Sequence, residues 1–222
     1  MNERSIINNL AKVPYKLSVY QILRERSIIA SADYAEQHLG DAMIFEKPVK
    51  LWNYAAGSAK LEGGLFLEFG VFRAKSINHF ADIFKDETIH GFDSFEGLAE
   101  DWTGYHLPKG SFDLGGNLPK VRENVTLHKG WFDATLPPFL KDNDGPITFC
   151  HVDCDTFESS LYVLRLLADR LKAGSVLVFD EYYGYPNWQQ GEFKAWKMVC
   201  KEFDITYKYL SFSGMQVALE IQ

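Results

Sequence analysis

Three carboxylates stand directly after apolar, strand-like runs: Asp153 in His151-Val152-Asp153-Cys154-Asp155, and Asp180 and Glu181 in Val178-Phe179-Asp180-Glu181. One amphipathic helix pattern separates the two runs. In an open parallel sheet that connection sets both carboxyl ends side by side, on the edge where ligands bind. Carboxylates gathered there repel one another unless protons or a cation intervene, so the arrangement reads as a divalent-metal site. Upstream, Leu67-Glu68-Phe69-Gly70-Val71-Phe72-Arg73-Ala74-Lys75-Ser76 reads as a strand turning tightly into a helix. A ligand cradle and a metal site on one sheet edge point to a metal-assisted transferase.

The cradle follows the pattern acid-x-Gly-x-x-x-small, from Glu68 through Gly70 to Ala74. Gly70 lets the backbone turn sharply and approach a ligand, and the helix that opens after it offers N–H groups and a partial positive charge to a carboxylate or phosphate. Glu68 would hold an ammonium group. A ligand bearing both amine and carboxylate, such as the methionine end of S-adenosylmethionine, fits this better than a pyrophosphate, which would want a second glycine in the turn. The next strand ends Gly91-Phe92-Asp93-Ser94-Phe95-Glu96-Gly97, placing Asp93 where Rossmann-type folds carry the carboxylate for ribose hydroxyls. Gly130-Trp131-Phe132-Asp133 closes the third strand, where an adenine would lie against apolar side chains. The expected cofactor contacts are Glu68, Phe69, Gly70, Val71, Ser76, Asp93, Ser94, Gly130, Trp131, Phe132 and Asp153.

The elements that must position these residues are legible from periodicity. Apolar runs at 65–68, 88–92, 125–129, 147–152 and 175–179 alternate with helix patterns, which argues for a mainly parallel sheet covered by helices. Residues 205–210 and 215–221 alternate apolar and polar around Ser213-Gly214, a hairpin signal that turns the last strand antiparallel. Residues 1–60 read as a helical extension, with helix-like stretches at 15–23 and 31–37 punctuated by Pro14 and Pro48. It would cap the acceptor site or form a homodimer interface. The connection 98–124, rich in Gly, Pro and aromatics, is long enough to be an active-site lid.

A chain of 222 residues that is 46% apolar suits one α/β domain with an appendage. The net charge of −7 and the scattered Lys and Arg argue against nucleic acid as partner. No apolar run would span a membrane, and the N-terminus lacks the pattern of a secretory signal. Cys150, Cys154 and Cys200 read as reduced thiols, so a cytoplasmic protein is expected.

With these residues in place, a family resemblance emerges. Glu68-Phe69-Gly70-Val71, Phe92-Asp93-Ser94-Phe95-Glu96-Gly97-Leu98, Val121-Arg122-Glu123-Asn124, Lys129 to Pro137, Val152 to Ser159 and Asp180-Glu181-Tyr182 resemble, in order, blocks of the macrocin O-methyltransferase (TylF-type) family. The resemblance implies a Rossmann-like class I methyltransferase fold over residues 61–222: a mainly parallel seven-stranded sheet with an antiparallel C-terminal strand. It also implies S-adenosylmethionine and magnesium as cofactors, and an acceptor hydroxyl on a sugar or glycosylated small molecule. Glu181 stands where the family usually has a second Asp.

By resemblance and by strand-end position, the metal falls to Asp153, Asp180 and Glu181, and Asp153 is the candidate to receive the hydroxyl proton. His151 and His106 are alternative proton routes, although a His on a strand is more often a hydrogen-bonded core residue. Asp155 reads as the start of a capping box, Asp155-Thr156-Phe157-Glu158. Trp102, Tyr105, Tyr183, Tyr185 and Trp188 are candidate acceptor walls. Two other readings use the same edge: a methyltransferase for catechol-like acceptors, whose paired oxygens also chelate magnesium, and a nucleotide-binding or NAD-dependent protein of the same fold.

Overall fold

Every apolar run ending in an acid or a glycine becomes a strand, and the sheet pairing sets their ends level. The computed structural model describes residues 18–222; Pro14 and the stretch 15–17 of the first helix-like run lie outside the described residues. The strands are β1 (Met43–Ile44), β2 (Leu65–Phe69), β3 (Ile89–Asp93), β4 (Val125–Lys129), β5 (Ile147–Val152), β6 (Val176–Phe179), β7 (Tyr207–Ser213) and β8 (Gln216–Ile221). Their order across the sheet is β1-β7-β8-β6-β5-β2-β3-β4. All neighbours are parallel except β8, which runs antiparallel to β6 and β7. Seven strands match the expected Rossmann-like plan. The eighth, β1, has only two residues on the outer side of β7, too few for any periodicity to announce it.

The helices are α1 (Val19–His38), α2 (Pro48–Ser58), α3 (Lys75–Ile83), α4 (Phe132–Asp142), α5 (Phe157–Leu167) and α6 (Glu192–Glu202). Strand side chains alternate between two faces, and each face has its own core. Leu67, Phe69, Val152 and Phe179 pack with Leu136, Leu164 and Trp196 of α4, α5 and α6. Phe66, Phe149 and Val178 pack with Trp52 and Ala55 of α2 and with Ile77 and Phe80 of α3. The second half of the expected extension is therefore part of the core: Pro48 opens α2 from inside its first turn, and α2 covers one sheet face.

The first part differs from expectation. Instead of two helical stretches there is one helix of 20 residues, opened by a capping box between Ser18 and Gln21. The helix runs unbroken through 24–30, where the serine hydroxyls bond back to the preceding turn: Ser27 Oγ donates to Arg24 O and Ser31 Oγ to Ser27 O, each at 2.7 Å. Ser31 Oγ also accepts the Gly184 N–H at 2.9 Å, tying α1 to the loop after β6. No helix among the described residues is long and apolar enough to cross a membrane.

Candidate active site

Register builds the site. Phe69 is level with Phe92 and Val152, and Val152 with Phe179, so the residues one step further, Gly70, Asp93, Asp153 and Asp180, leave the sheet together. Gly70 N–H donates to Phe92 O (3.0 Å), Asp153 N–H to Phe69 O (2.9 Å), Asp180 N–H to Val152 O (3.0 Å) and Gly130 N–H to Asp93 O (2.9 Å), which extends the ladder into the loops. Above this edge lies a cleft of about 440 Å³. Of the expected cofactor contacts, Gly70, Asp93, Ser94, Gly130, Trp131, Phe132 and Asp153 line it. The 98–124 connection supplies Leu98, Trp102, Tyr105 and Phe112 to its far wall, with Trp102 pinned by a bridge to Leu107.

Four expected contacts do not reach the cleft. Phe69 is a core residue, stacked on Phe92 with ring centroids 5.0 Å apart. Val71 is buried, and its N–H, like that of Phe72, donates to Asp93 Oδ2 at 2.8 Å, so these turn amides are already occupied. Asp93 Oδ1 takes the Phe95 N–H at 2.7 Å; the carboxylate thus organises the cradle as well as facing the cleft. Glu68 is fully buried below the turn, accepting from Ser76 Oγ (3.0 Å) and paired with His151 Nδ1 (3.1 Å). Glu68 and Ser76 therefore engage each other.

His151 is a core residue and not a cleft-facing base. Its Nδ1 meets Glu68 and its Nε2 lies 3.5 Å from Asp180 Oδ1. Burial disfavours the imidazolium, but the Asp180 and Glu68 carboxylates that face its two nitrogens outweigh it and hold His151 well above the ordinary histidine range. Burial likewise pushes Asp180 up, and the hydrogen bond and charge of His151, with hydrogen bonds from Glu181 and Gln216, bring it below the ordinary carboxyl range. His106 is exposed on the 98–124 connection, beside Tyr20, and does not line the cleft.

The carboxylates divide differently from expectation. Asp153, Asp155 and Glu181 each bring one oxygen to within 4.8 Å of the others, while Asp180 groups instead with His151 and Asp153. Of the expected trio, Asp153 and Glu181 converge with Asp155, while Asp180 lines the same cleft but is turned toward His151 and Gln216. Nor does Asp155 cap α5. The N-cap is Thr156, without a side-chain cap bond, and Asp155 sits one residue earlier at φ 62°, in the left-handed region that Asp tolerates. Burial, then the charges of Asp180 and Asp155, drives the Asp153 carboxyl far up; burial with Asp180 and Asp153 does the same to Glu181, and burial with Glu192 and Asp180 to Asp155. Glu181 Oε2 is buried without a hydrogen-bond partner among the described residues. Close, hard, anionic oxygens with an unpartnered donor fit a magnesium-class divalent cation.

Among the aromatic candidates, Trp102 and Tyr105 face the cleft, stacked at 4.4 Å, whereas Tyr183, Tyr185 and Trp188 are buried in the core. Glu192, at the start of α6, carried no signal in the sequence. It stands 37 residues beyond Asp155, and only the fold brings it against the acidic strand ends.

A mainly parallel sheet with one strand, β8, antiparallel to both its neighbours, and a ligand cleft at the carboxyl edge over a glycine turn, is the class I methyltransferase architecture. The family model for a methyltransferase domain matches residues 67–182, more than half of the chain, and the protein belongs to that family, as an enzyme that transfers methyl groups. No curated protein matches the chain in sequence. Among solved structures, the calicheamicin methyltransferase CalS11 is similar over 78% of this chain and 77% of its own, with TM-score 0.64 and 22% identity. An apo structure of CalS11, described as a TDP-rhamnose 3'-O-methyltransferase, aligns over 99% and 87% at TM-score 0.57 and 20% identity. An O-methyltransferase from Bacillus cereus in complex with SAH covers 97% of each chain at TM-score 0.50 and 13% identity. At these identities the likeness is one of fold.

Proposed function

We propose that the protein is an S-adenosylmethionine-dependent, magnesium-dependent O-methyltransferase of the macrocin (TylF) type, acting on a hydroxyl of a sugar or glycosylated small molecule. The observation that carries this reading is the Asp153–Asp155–Glu181 donor set opening into the same cleft as Gly70, Asp93 and Trp131. A sugar hydroxyl is a poor nucleophile, and a divalent cation when bound supplies Lewis acidity that lowers its pKa. Asp153 lies at the junction of cleft and carboxylates, where it would receive the acceptor proton. Gly130, Trp131 and Phe132 would flank an adenine, and Asp93 a ribose. The stacked Trp102 and Tyr105 offer an aromatic face to a sugar ring. The sugar-nucleotide activity named for CalS11 supports the acceptor class.

The test is a titration with S-adenosylhomocysteine, followed by tryptophan fluorescence and calorimetry, first in chelator and then in magnesium. Saturable binding in chelator is expected, with Trp131 reporting it. Absence of binding in both buffers would exclude the cofactor. Turnover on simple catechols and on no sugar would transfer the acceptor assignment to catechols.

The carboxylates also set a pH dependence. Burial raises Glu192 to about 7 and drives Asp153, Asp155 and Glu181 upward. The folded apoprotein therefore holds protons that the unfolded chain releases, so this part of its stability is present below the ordinary carboxyl range and is lost as pH rises, for Glu192 from about 4 through about 7 and for the other three as pH passes their raised values. A cation at the Asp153, Asp155 and Glu181 oxygens would replace their protons, so magnesium should raise the unfolding midpoint more at about pH 8 than at about pH 5. An equal shift at the two pH values would count against cation binding here.

A further inference from the structure

Glu192 is fully buried behind the acidic strand ends and bonded to both of them. Its Oε1 accepts the Cys154 N–H at 3.0 Å, with Ser160 Oγ at 3.5 Å, and its Oε2 accepts the Glu181 N–H at 3.2 Å. Cys154 lies between Asp153 and Asp155 in the chain, and Glu181 is the third donor. A single side chain therefore bridges the loop after β5 and the loop after β6 through two backbone amides. Both oxygens are engaged by N–H groups, and Glu192 belongs to neither group of converging donors, so it is not a further ligand. Nor is it a low-cost structural link. A fifth carboxyl buried beside Asp153, Asp155, Asp180 and Glu181 adds desolvation and repulsion. What a carboxylate provides, and an amide or hydroxyl does not, is two acceptor oxygens on one rigid fork.

We propose that Glu192 is a positioning residue that locks the two acidic strand ends in register, so that Asp153, Asp155 and Glu181 present one donor set. The proposal rests on the metal reading above. The ladder ends at Asp180 N–H on Val152 O; beyond it, without the bridge, the turns that carry Asp155 and Glu181 can move apart under the acids' mutual repulsion.

The experiment compares wild type, Glu192→Gln and Glu192→Asp in three measurements: Mn²⁺ binding by calorimetry, S-adenosylhomocysteine binding in chelator, and hydrogen exchange at the Cys154 and Glu181 amides. Gln keeps one acceptor and turns an NH₂ against the other amide; Asp keeps the charge but draws the fork back by one methylene. Both variants are expected to weaken Mn²⁺ by about tenfold or more and to speed exchange at the two amides by about tenfold, with cofactor affinity within about twofold of wild type. Wild-type Mn²⁺ affinity in Glu192→Asp, with loss only in Glu192→Gln, would show a charge effect and overturn positioning. Unaltered affinity in both would overturn it as well. Absence of Mn²⁺ binding in the wild type would instead remove the metal reading, and positioning with it. Should the variants not fold, exchange in wild type in chelator decides: equal protection of the two amides supports the bridge, and protection of only one overturns it.

Discussion

Asp153→Ala is expected to abolish methyl transfer, by about 10²–10³-fold or more, while leaving S-adenosylhomocysteine binding nearly intact. The two effects separate because of where Asp153 stands. Its backbone continues β5 and closes on the cradle, with its N–H on Phe69 O, and a substitution to Ala leaves that in place. Its side chain is the member shared by both carboxylate groupings, so no rearrangement of the other acids replaces it. Stability should move the other way from activity. The carboxyl is raised by burial and by the charges of Asp180 and Asp155, so its removal relieves repulsion in the apoprotein. The variant should unfold at or above the wild-type midpoint in chelator, and should lose the midpoint increase that magnesium gives the wild type. Unchanged turnover would remove Asp153 from the chemistry.

Gly70→Ala carries the second large effect, and on a different quantity. Gly70 has φ 87°, and a Cβ built there would stand 1.8 Å from Asp153 O, a backbone atom that no rotamer can move. The left-handed backbone alone costs about 1–2 kcal/mol for a residue with a Cβ. Forcing β2 and β5 apart at their ends adds enough to bring the total to about 3–5 kcal/mol, or a fall of about 10 °C or more in unfolding midpoint for a domain of this size. Cofactor binding should fail in whatever folds, since the same displacement moves the cradle away from Asp93. A midpoint within about 2 °C of wild type would show that the two strand ends approach less closely than the sheet register requires.

The parts of this site legible in the residues were those with a local signature. An apolar run followed by Asp, Glu or Gly marks a strand end whatever the rest of the chain does, so Gly70, Asp93, Gly130, Asp153 and Asp180 were recognisable one strand at a time. Ser213-Gly214 between alternating runs marked the hairpin in the same way. Continuity of α1 was not legible, because Ser27 and Ser31 are indifferent helix formers until their hydroxyls are seen bonding to the turn below. The two residues of β1 form a strand only because β7 is there to pair with them.

The residues alone specify seven of the eight strands and the acids and glycines at the carboxyl ends of the parallel ones, and hence a ligand edge of methyltransferase type. Only the tertiary structure decided which acids meet. Glu68 goes to Ser76 and His151, Asp93 to the turn amides, Asp180 to His151 and Gln216, Asp155 to Asp153 and Glu181, and Glu192 to the amides beneath them. The physical reason is range. A strand end is written in a few consecutive residues through backbone sterics and burial, whereas the partner of a carboxylate is set by sheet register and side-chain direction across tens of residues, and those leave no periodicity to read.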